Sequence, residues 1–333
     1  MFFEPTTLAA TATAIADAVE SLGGDPKAVF KRAGLDMGDM QKPGARYPFR
    51  AMIRLWEEAR IETSDPCIGL FAARRLKPQA LHALGLSWLS SGTLLNGLQR
   101  MVRYARIANT SLRFRLVPDG ERLSLVTEYH AGELQVPPEA VDGVMAFVVT
   151  MCRLMTDKNF APLLVTFEHE DNGHIDQYID FFQAPVFFSK SETALYFDAR
   201  VLTQPIPAGN EEVARDTDRI TERYLASLDP DRVQDRVREI LLTLLPSGEV
   251  DQEAVARTLH RSVSSLQRQL RAEGASYRQI LDETRVTLAQ QFVRERRYSL
   301  GQIAYLLGFS DQANFSRAFK RWTGMAPTVF RAS

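Results

Sequence analysis

The chain has 333 residues, 45% of them hydrophobic and 24% charged, with a formal net charge of −1 at pH 7. That length suits two domains and the balance is that of a globular protein. Only Cys67 and Cys152 are present, which excludes a disulfide framework and points to a reducing cytoplasm.

The start, MFFEPTTLAATATAIADAVE, lacks a basic n-region and carries Glu4 and Asp17, so a signal peptide is not expected. No apolar run reaches the roughly 18 residues of a membrane span, so no membrane partner is expected. Residues 8–22 read as a helix, with a cap region at Thr6–Thr7 and a stop at Gly23–Gly24. Asp25 opens a short helix to about Ala33, and further helices are predicted over 50–62, 67–76, 81–90 and 93–108. The last of these places Leu94, Leu98, Met101 and Ala105 on one face. Arg100, Arg103 and Arg106 lie opposite and read as a solvated face, an anionic ligand or partner being the alternative.

The period then changes from helical to alternating. Leu112, Phe114 and Leu116 alternate with Arg113 and Arg115, Pro118-Asp119-Gly120 makes a turn, and Leu123–Tyr129 continues as a second strand. Pro138 starts an apolar helix to about Met155. Short strands are predicted at Leu163–Glu168, Val186–Ser189 and Ala194–Phe197, with a helix at Ile175–Phe182, giving an α+β domain built on an antiparallel sheet. The helices at 81–108 and 138–155 can wall a pocket or form plain core. Glu168-His169-Glu170 and His174 match no metal-ligand spacing and read as surface polar residues, so no metal or cofactor is expected.

After the loop 204–210, residues 211–228 read as a charged helix. Val213, Thr217, Ile220 and Tyr224 repeat at 4-3-4 spacing along it, a stripe that suits docking on its own domain or dimerisation. Leu228-Asp229-Pro230-Asp231 reads as the domain boundary. The chain thus partitions into 1–207, a linker helix and linker at 208–232, and 233–333.

Residues 231–333 hold 16 Lys+Arg against 11 Asp+Glu, a net of +5, whereas the rest holds 24 against 30, a net of −6. The basic excess suits a polyanionic partner, and an arginine-rich one suits nucleic acid. A helix over 232–245 ends at Pro246-Ser247-Gly248. In VDQEAVARTLHRSVSSLQRQLRAEG, Val255 and Leu259 share one face of a first helix. Ser262 can cap the second, which buries Val263, Leu266 and Leu270 and turns Ser264, Ser265 and Arg268 outward. Ser276 to Arg296 reads as one unbroken helix, about 31 Å long at ~1.5 Å per residue.

The logic then repeats. Leu300, Ile303, Ala304 and Leu307 form a buried stripe, and Gly308 stops the helix. Ser310 is expected to cap the next helix, with Asp311 in its first turn. That helix buries Phe315, Ala318, Phe319 and Trp322 and presents Ser316, Arg317, Lys320 and Arg321. These are two helix-turn-helix units, at about 251–272 and 299–322. Their connecting rod nearly matches the ~34 Å between successive major grooves on one DNA face.

Residues 233–331 resemble the DNA-binding domain of the AraC/XylS family of bacterial transcription regulators, most specifically in IAYLLGFSDQANFSRAFKRWTGMAPTVFR, residues 303–331. The amino-terminal part is similar to the arabinose-binding-like sensor domain of that family's ornithine-regulator subgroup, in GLSWLSSGTLLNGLQRMVRYA (85–105) and YIDFFQAPVFFSKSETALYFDARVLTQPI (178–206). The resemblance implies seven helices in the carboxy-terminal domain, with recognition helices at about 263–272 and 312–322 and a first-turn Pro327 in the last helix. It also implies a ligand-sensing or dimerisation domain over 1–207.

Arg268 and Arg317 lie opposite their helices' apolar stripes and are the expected base readers, since arginine grips guanine with two hydrogen bonds. Ser264, Ser265, Gln267, Gln312, Asn314 and Ser316 are expected shorter contacts, and the small Ala313 leaves room for close approach. Arg271, Lys320 and Arg321 are expected on phosphate. No Gly-x-Ser-x-Gly elbow, Walker loop or Rossmann fingerprint appears, and isolated cysteines cannot supply a DNA-repair methyltransferase's cysteine cluster, so no enzyme is expected. The expected function is a cytoplasmic, nucleoid-associated activator that binds two adjacent major grooves of double-stranded DNA under a small-molecule effector. RNA polymerase is an expected partner and a homodimer an expected assembly. The alternative is an effector-independent DNA-binding protein whose amino-terminal domain serves assembly.

Overall fold

The computed structural model describes residues 4–228, 233–245 and 251–332, and the chain divides into two units, Met1–Thr221 and Glu222–Ser333. Residues Asp229 to Asp231 of the expected boundary, and the expected break Pro246-Ser247-Gly248, lie outside the described residues.

In the first unit β1 (Thr6–Leu8) pairs antiparallel with β2 (Arg46–Pro48). This pair is not legible in the sequence, because strands of 3 residues carry too little alternation to register. Between them run α1 (Ala12–Ser21) and α2 (Pro26–Ala33). The latter is capped by Asp25, which accepts from Lys27 N at 2.9 Å. Then come α3 (Phe49–Thr63), α4 (Ile68–Ala73), α5 (Ala83–Leu89) and α6 (Leu94–Ala108). Strands β3 (Leu112–Asp119) and β4 (Arg122–Tyr129) form the expected hairpin. The long apolar α7 (Pro138–Met155) approaches α4 so closely that a Cβ on Gly69 would lie 2.3 Å from the Glu139 carbonyl. After β5 (Leu164–Thr166), α8 (Ile175–Phe182), β6 (Val186–Phe187), β7 (Thr193–Asp198) and α9 (Ala199–Leu202), the chain enters α10 (Glu211–Leu228).

The main sheet has the order β3-β4-β7-β5-β6. It is antiparallel except at its edge, where β5 and β6 run parallel because α8 makes the crossover between them. Trp88, Tyr104, Phe167 and Phe197 are among the buried aromatics that fill this unit.

Two expectations for this unit are corrected. Arg100 and Arg106 are not solvated; each is only 8% exposed. Arg100 Nη2 lies 2.9 Å from Glu211 Oε2, and its Nε lies 3.1 Å from Asp218 Oδ2. Glu211 also accepts from Gly92 N at 2.7 Å, and Ser87 donates to Asp218. Burial works against the Arg100 charge, but Asp218 and Glu211 outweigh it and raise its pKa. Glu211 is likewise opposed by burial, yet the Arg100 hydrogen bond draws its pKa down to about 2.

The first half of α10 thus docks through Ala214, Thr217, Asp218 and Thr221, while Val213 and Ile220 of the expected stripe stay exposed. The apolar period was the wrong guide because the docking face is held by polar and charged groups. Second, His169 is not a surface residue. Its Nε2 lies 2.9 Å from Oδ1 of the buried Asp142, which also accepts from Tyr178 Oη at 2.7 Å, and its ring packs on Phe167 and Phe188. Burial opposes the His169 charge, but Asp142 raises its pKa.

The second unit has seven helices among its described residues, counting from α11: α11 (Val233–Leu244), α12 (Gln252–Thr258), α13 (Val263–Ala272), α14 (Tyr277–Glu295), α15 (Leu300–Leu306), α16 (Gln312–Thr323) and α17 (Pro327–Ala332). One core joins them: Val237, Leu241, Val255, Leu266, Ile280, Ala289, Val293, Ile303, Phe315 and Phe330 are all buried. Glu273 accepts from the first two amides of α11, Val233 N at 2.7 Å and Gln234 N at 2.9 Å, supplying the acceptor a helix N-terminus lacks. No described helix in either unit is long and apolar enough to cross a membrane.

Candidate nucleic-acid interface

The two helix pairs α12–α13 and α15–α16 are built alike. Each second helix opens on a side-chain cap, worth about 1 kcal/mol. Ser262 caps α13, accepting from Ser265 N at 3.2 Å, as the sequence reading expected. Asp311, rather than the expected Ser310, caps α16, accepting from Asn314 N at 2.7 Å. The carboxylate wins because it both accepts that hydrogen bond and places negative charge at the positive end of the helix dipole. Its pKa is lowered first by that backbone hydrogen bond. Ser299 and Gln302 close a capping box at α15.

The apolar stripes hold these helices face-down. Leu266 and Leu270 bury α13, with Val263 partly buried beside them, and Phe315, Ala318 and Phe319 bury α16, with Trp322 partly buried beside them. Burying such side chains stabilises by about 1.5–3 kcal/mol each. On the open side of α13, Ser264, Gln267, Arg268 and Arg271 are exposed and Ser265 is half-buried. On α16, Gln312, Ala313, Arg317, Lys320 and Arg321 are exposed, and Asn314 and Ser316 are half-buried.

Asn314 already has partners: its Nδ2 donates to Ser310 Oγ at 2.8 Å and Asp311 Oδ2 at 2.6 Å, and its Oδ1 accepts from Arg317 Nη2 at 2.5 Å. Gln267 Nε2 reaches Gln252 Oε1 at 3.2 Å, linking the two helices of its pair.

One positioning residue was missed in the sequence. Arg285, in the middle of α14, donates through Nε to Leu307 O at 2.8 Å and through Nη2 to Gly308 O at 3.1 Å. Its guanidinium lies 4.9 Å from the Phe309 ring centre. It thereby pins the α15–α16 turn to the connecting rod. Gly308 is needed there for its φ of +70°, and a Cβ would meet Arg285 Nη2 at 3.2 Å. The sequence reads Ser276 to Arg296 only as one unbroken helix, and nothing local singles out Arg285 within it. With 19 residues, that rod is about 29 Å long.

The first unit holds a cavity of about 110 Å³. Ile15, Phe49, Trp56, Leu84, Met101 and Phe147 are among its walls, contributed by α1, α3, α5, α6 and α7. Thr7, Thr11, Asn109 and Tyr129 also line it. The hydroxyl of Thr7 is buried with no hydrogen-bond partner.

Two helix-turn-helix units that present exposed basic side chains define a DNA-binding transcription regulator. The family described as the amino-terminal arabinose-binding domain of AraC transcription regulators matches residues 23–206, and a helix-turn-helix domain family matches residues 255–333. The chain belongs to the AraC family of transcription regulators. It is 31% identical to the ornithine utilization regulator of Pseudomonas aeruginosa, across 97% of this chain and 95% of that protein. It is 27% identical to the transcriptional regulator VirS of Mycobacterium tuberculosis, across 95% of this chain and 93% of that one. The crystal structure of the regulator CdpR from Pseudomonas aeruginosa aligns with a TM-score of 0.44 and 21% identity, covering 84% of this chain and 90% of that one.

Proposed function

We propose that this regulator is a cytoplasmic, nucleoid-associated activator whose DNA binding or promoter activation is set by a small molecule held in residues 1–207, with 233–333 as the DNA-binding domain. The observation that carries the effector reading is the cavity among α1, α3, α5, α6 and α7; Thr7, whose hydroxyl is buried and unpaired, is one of the residues that line it. In a close-packed interior, a buried polar group lacking a partner is costly unless something else satisfies it.

In this reading α13 and α16 enter successive major grooves. Arg268 and Arg317 read bases, Arg271, Lys320 and Arg321 bind phosphate, and Ser264, Ser265, Gln267, Gln312 and Ser316 make shorter contacts. Asn314 orients Arg317 and holds the cap. Activation engages RNA polymerase. The exposure of Val213 and Ile220, one heptad apart on α10, favours self-association into a homodimer.

The test is an electrophoretic mobility shift with DNA flanking the protein's own gene, with and without candidate metabolites, L-ornithine and L-arabinose among them. In vitro transcription from the same DNA is run alongside. Tight sequence-specific binding is expected, with a ligand that changes either the shift or the transcript yield. Binding that is sequence-blind and merely salt-sensitive refutes the regulator reading.

A further inference from the structure

The walls of the first unit's cavity restrict what can occupy it. Among the described residues that line it there is no Asp, Glu, Lys, Arg or His. Its polar equipment is neutral: Thr7, Thr11, Asn109, the Tyr129 phenol and the Trp56 indole N–H. Two of these groups are already engaged at one atom each, Thr11 at its hydroxyl and Asn109 at its carboxamide oxygen. Thr11 Oγ1 donates to Leu8 O at 2.7 Å, and Asn109 Oδ1 accepts from Ser111 N at 2.9 Å and from its hydroxyl at 2.7 Å. Burial raises the Tyr129 pKa far above the usual phenol range, so that group stays un-ionised. Thr7 is 7% exposed, and its Oγ1 has no partner.

A zwitterionic amino acid placed here would leave its ammonium and carboxylate desolvated with no opposite charge, a cost that hydrogen bonds to hydroxyls do not repay. A sugar would bring several hydroxyls to a wall that offers few partners. Size narrows the choice further. An apolar cavity of about 150 Å³ accepts benzene. This one, at about 110 Å³, is comparable and is partly open rather than sealed, so a ring with one small substituent suits it. Met52 and Met101 line it, and unbranched methionine side chains adjust to irregular occupants.

We infer that the cavity binds an uncharged, mainly hydrocarbon effector of about the size of one small ring, with at most a single hydroxyl or carbonyl oxygen. This rests on the reading that residues 1–207 hold the effector, and it assigns that effector's chemical class.

The test uses the full-length protein and three molecules of one shape: benzyl alcohol, benzylammonium and benzoate. Binding is followed by calorimetry and by tryptophan fluorescence, since Trp56 lines the cavity. Benzyl alcohol is expected to bind at least about tenfold more tightly than either ion. Ala105→Phe fills the space and is expected to abolish binding. Ala105→Leu serves the same purpose if the larger residue prevents folding, as judged by circular dichroism.

Benzoate or benzylammonium binding as tightly as the alcohol overturns the inference. So does the absence of benzyl alcohol binding to the folded protein. If benzyl alcohol binds in the cavity but no ligand alters operator binding or transcription, effector control fails and the cavity assignment stands. If a charged metabolite alters operator binding without competing with benzyl alcohol, the cavity assignment fails and effector control stands.

Discussion

Arg317 donates to the Asn314 carboxamide one turn earlier on the same helix, at 2.5 Å, while that carboxamide also holds the Asp311 cap. The proposed base reader is therefore oriented before it meets DNA, and less side-chain entropy is lost on binding. Arg317→Ala is expected to weaken operator binding by about 1–3 kcal/mol and random-sequence binding far less. Asn314→Ala is expected to cost less, and the double variant less than the sum of the two. Fluorescence anisotropy on both DNAs measures this. Equal losses on operator and random DNA would remove Arg317 from the base-reading set, and strictly additive losses would separate it from Asn314.

Lys320 lies on the exposed face of α16, one turn past Ser316. As a phosphate contact it positions the helix without specifying sequence. Lys320→Gln is expected to weaken operator and random DNA binding alike, and to reduce the slope of log affinity against log salt by about 1. A salt titration with an unchanged slope removes Lys320 from the phosphate set.

Arg285 makes two hydrogen bonds to the α15–α16 turn and lies over Phe309. Arg285→Met keeps much of the side chain's bulk and removes both bonds, leaving the Leu307 and Gly308 carbonyls without this donor. The expected cost is about 1–3 kcal/mol in local stability. Amide hydrogen exchange across residues 300–323 should accelerate while α1 to α7 keep their protection. Uniform acceleration over the whole chain would show a global effect instead.

Glu211 titrates well below its ordinary 4.5, at about 2, because burial is outweighed by Arg100. A depressed carboxyl pKa means the folded unit binds its proton more weakly than the unfolded chain does. The resulting stabilisation, on the order of 3 kcal/mol, is complete above the ordinary pKa and lost as pH falls from about 4.5 to 2. Glu211→Gln is expected to be less stable at neutral pH and to have a shallower acid limb in that window. An acid limb as steep as that of the unchanged protein would rule out this assignment.

Much of the carboxy-terminal unit was legible because its information is local. The stripe Ile303, Ala304 and Leu307, the glycine after it and the stripe Phe315, Ala318 and Phe319 each lie within two or three turns, where period and capping act. Even there, the choice of Asp311 over Ser310 as cap depended on geometry that two adjacent capping residues leave open. The amino-terminal unit was less legible because its deciding contacts are distant. Arg100 meets Glu211 and Asp218 across 111 and 118 residues, and a window along one helix reads such an arginine as solvated. His169 meets Asp142 across 27 residues and was misread for the same reason. The walls of the cavity come from α1, α3, α5, α6 and α7 together, so no single apolar run distinguished a pocket from plain core.

The two helix-turn-helix units repeat in architecture but not in side chains. Val263–Ala272 offers serines, glutamine and arginine, whereas Gln312–Thr323 offers glutamine, asparagine, arginine and lysine. A pair of identical readers related by a two-fold axis sees an inverted site as the same site. Unlike readers on one rod do not. The stretch of DNA read by one copy of this protein is therefore expected to be non-palindromic, and reversing it would turn the bound copy end for end on the DNA. Operator orientation then becomes a variable in its own right, deciding which side of the regulator faces a promoter.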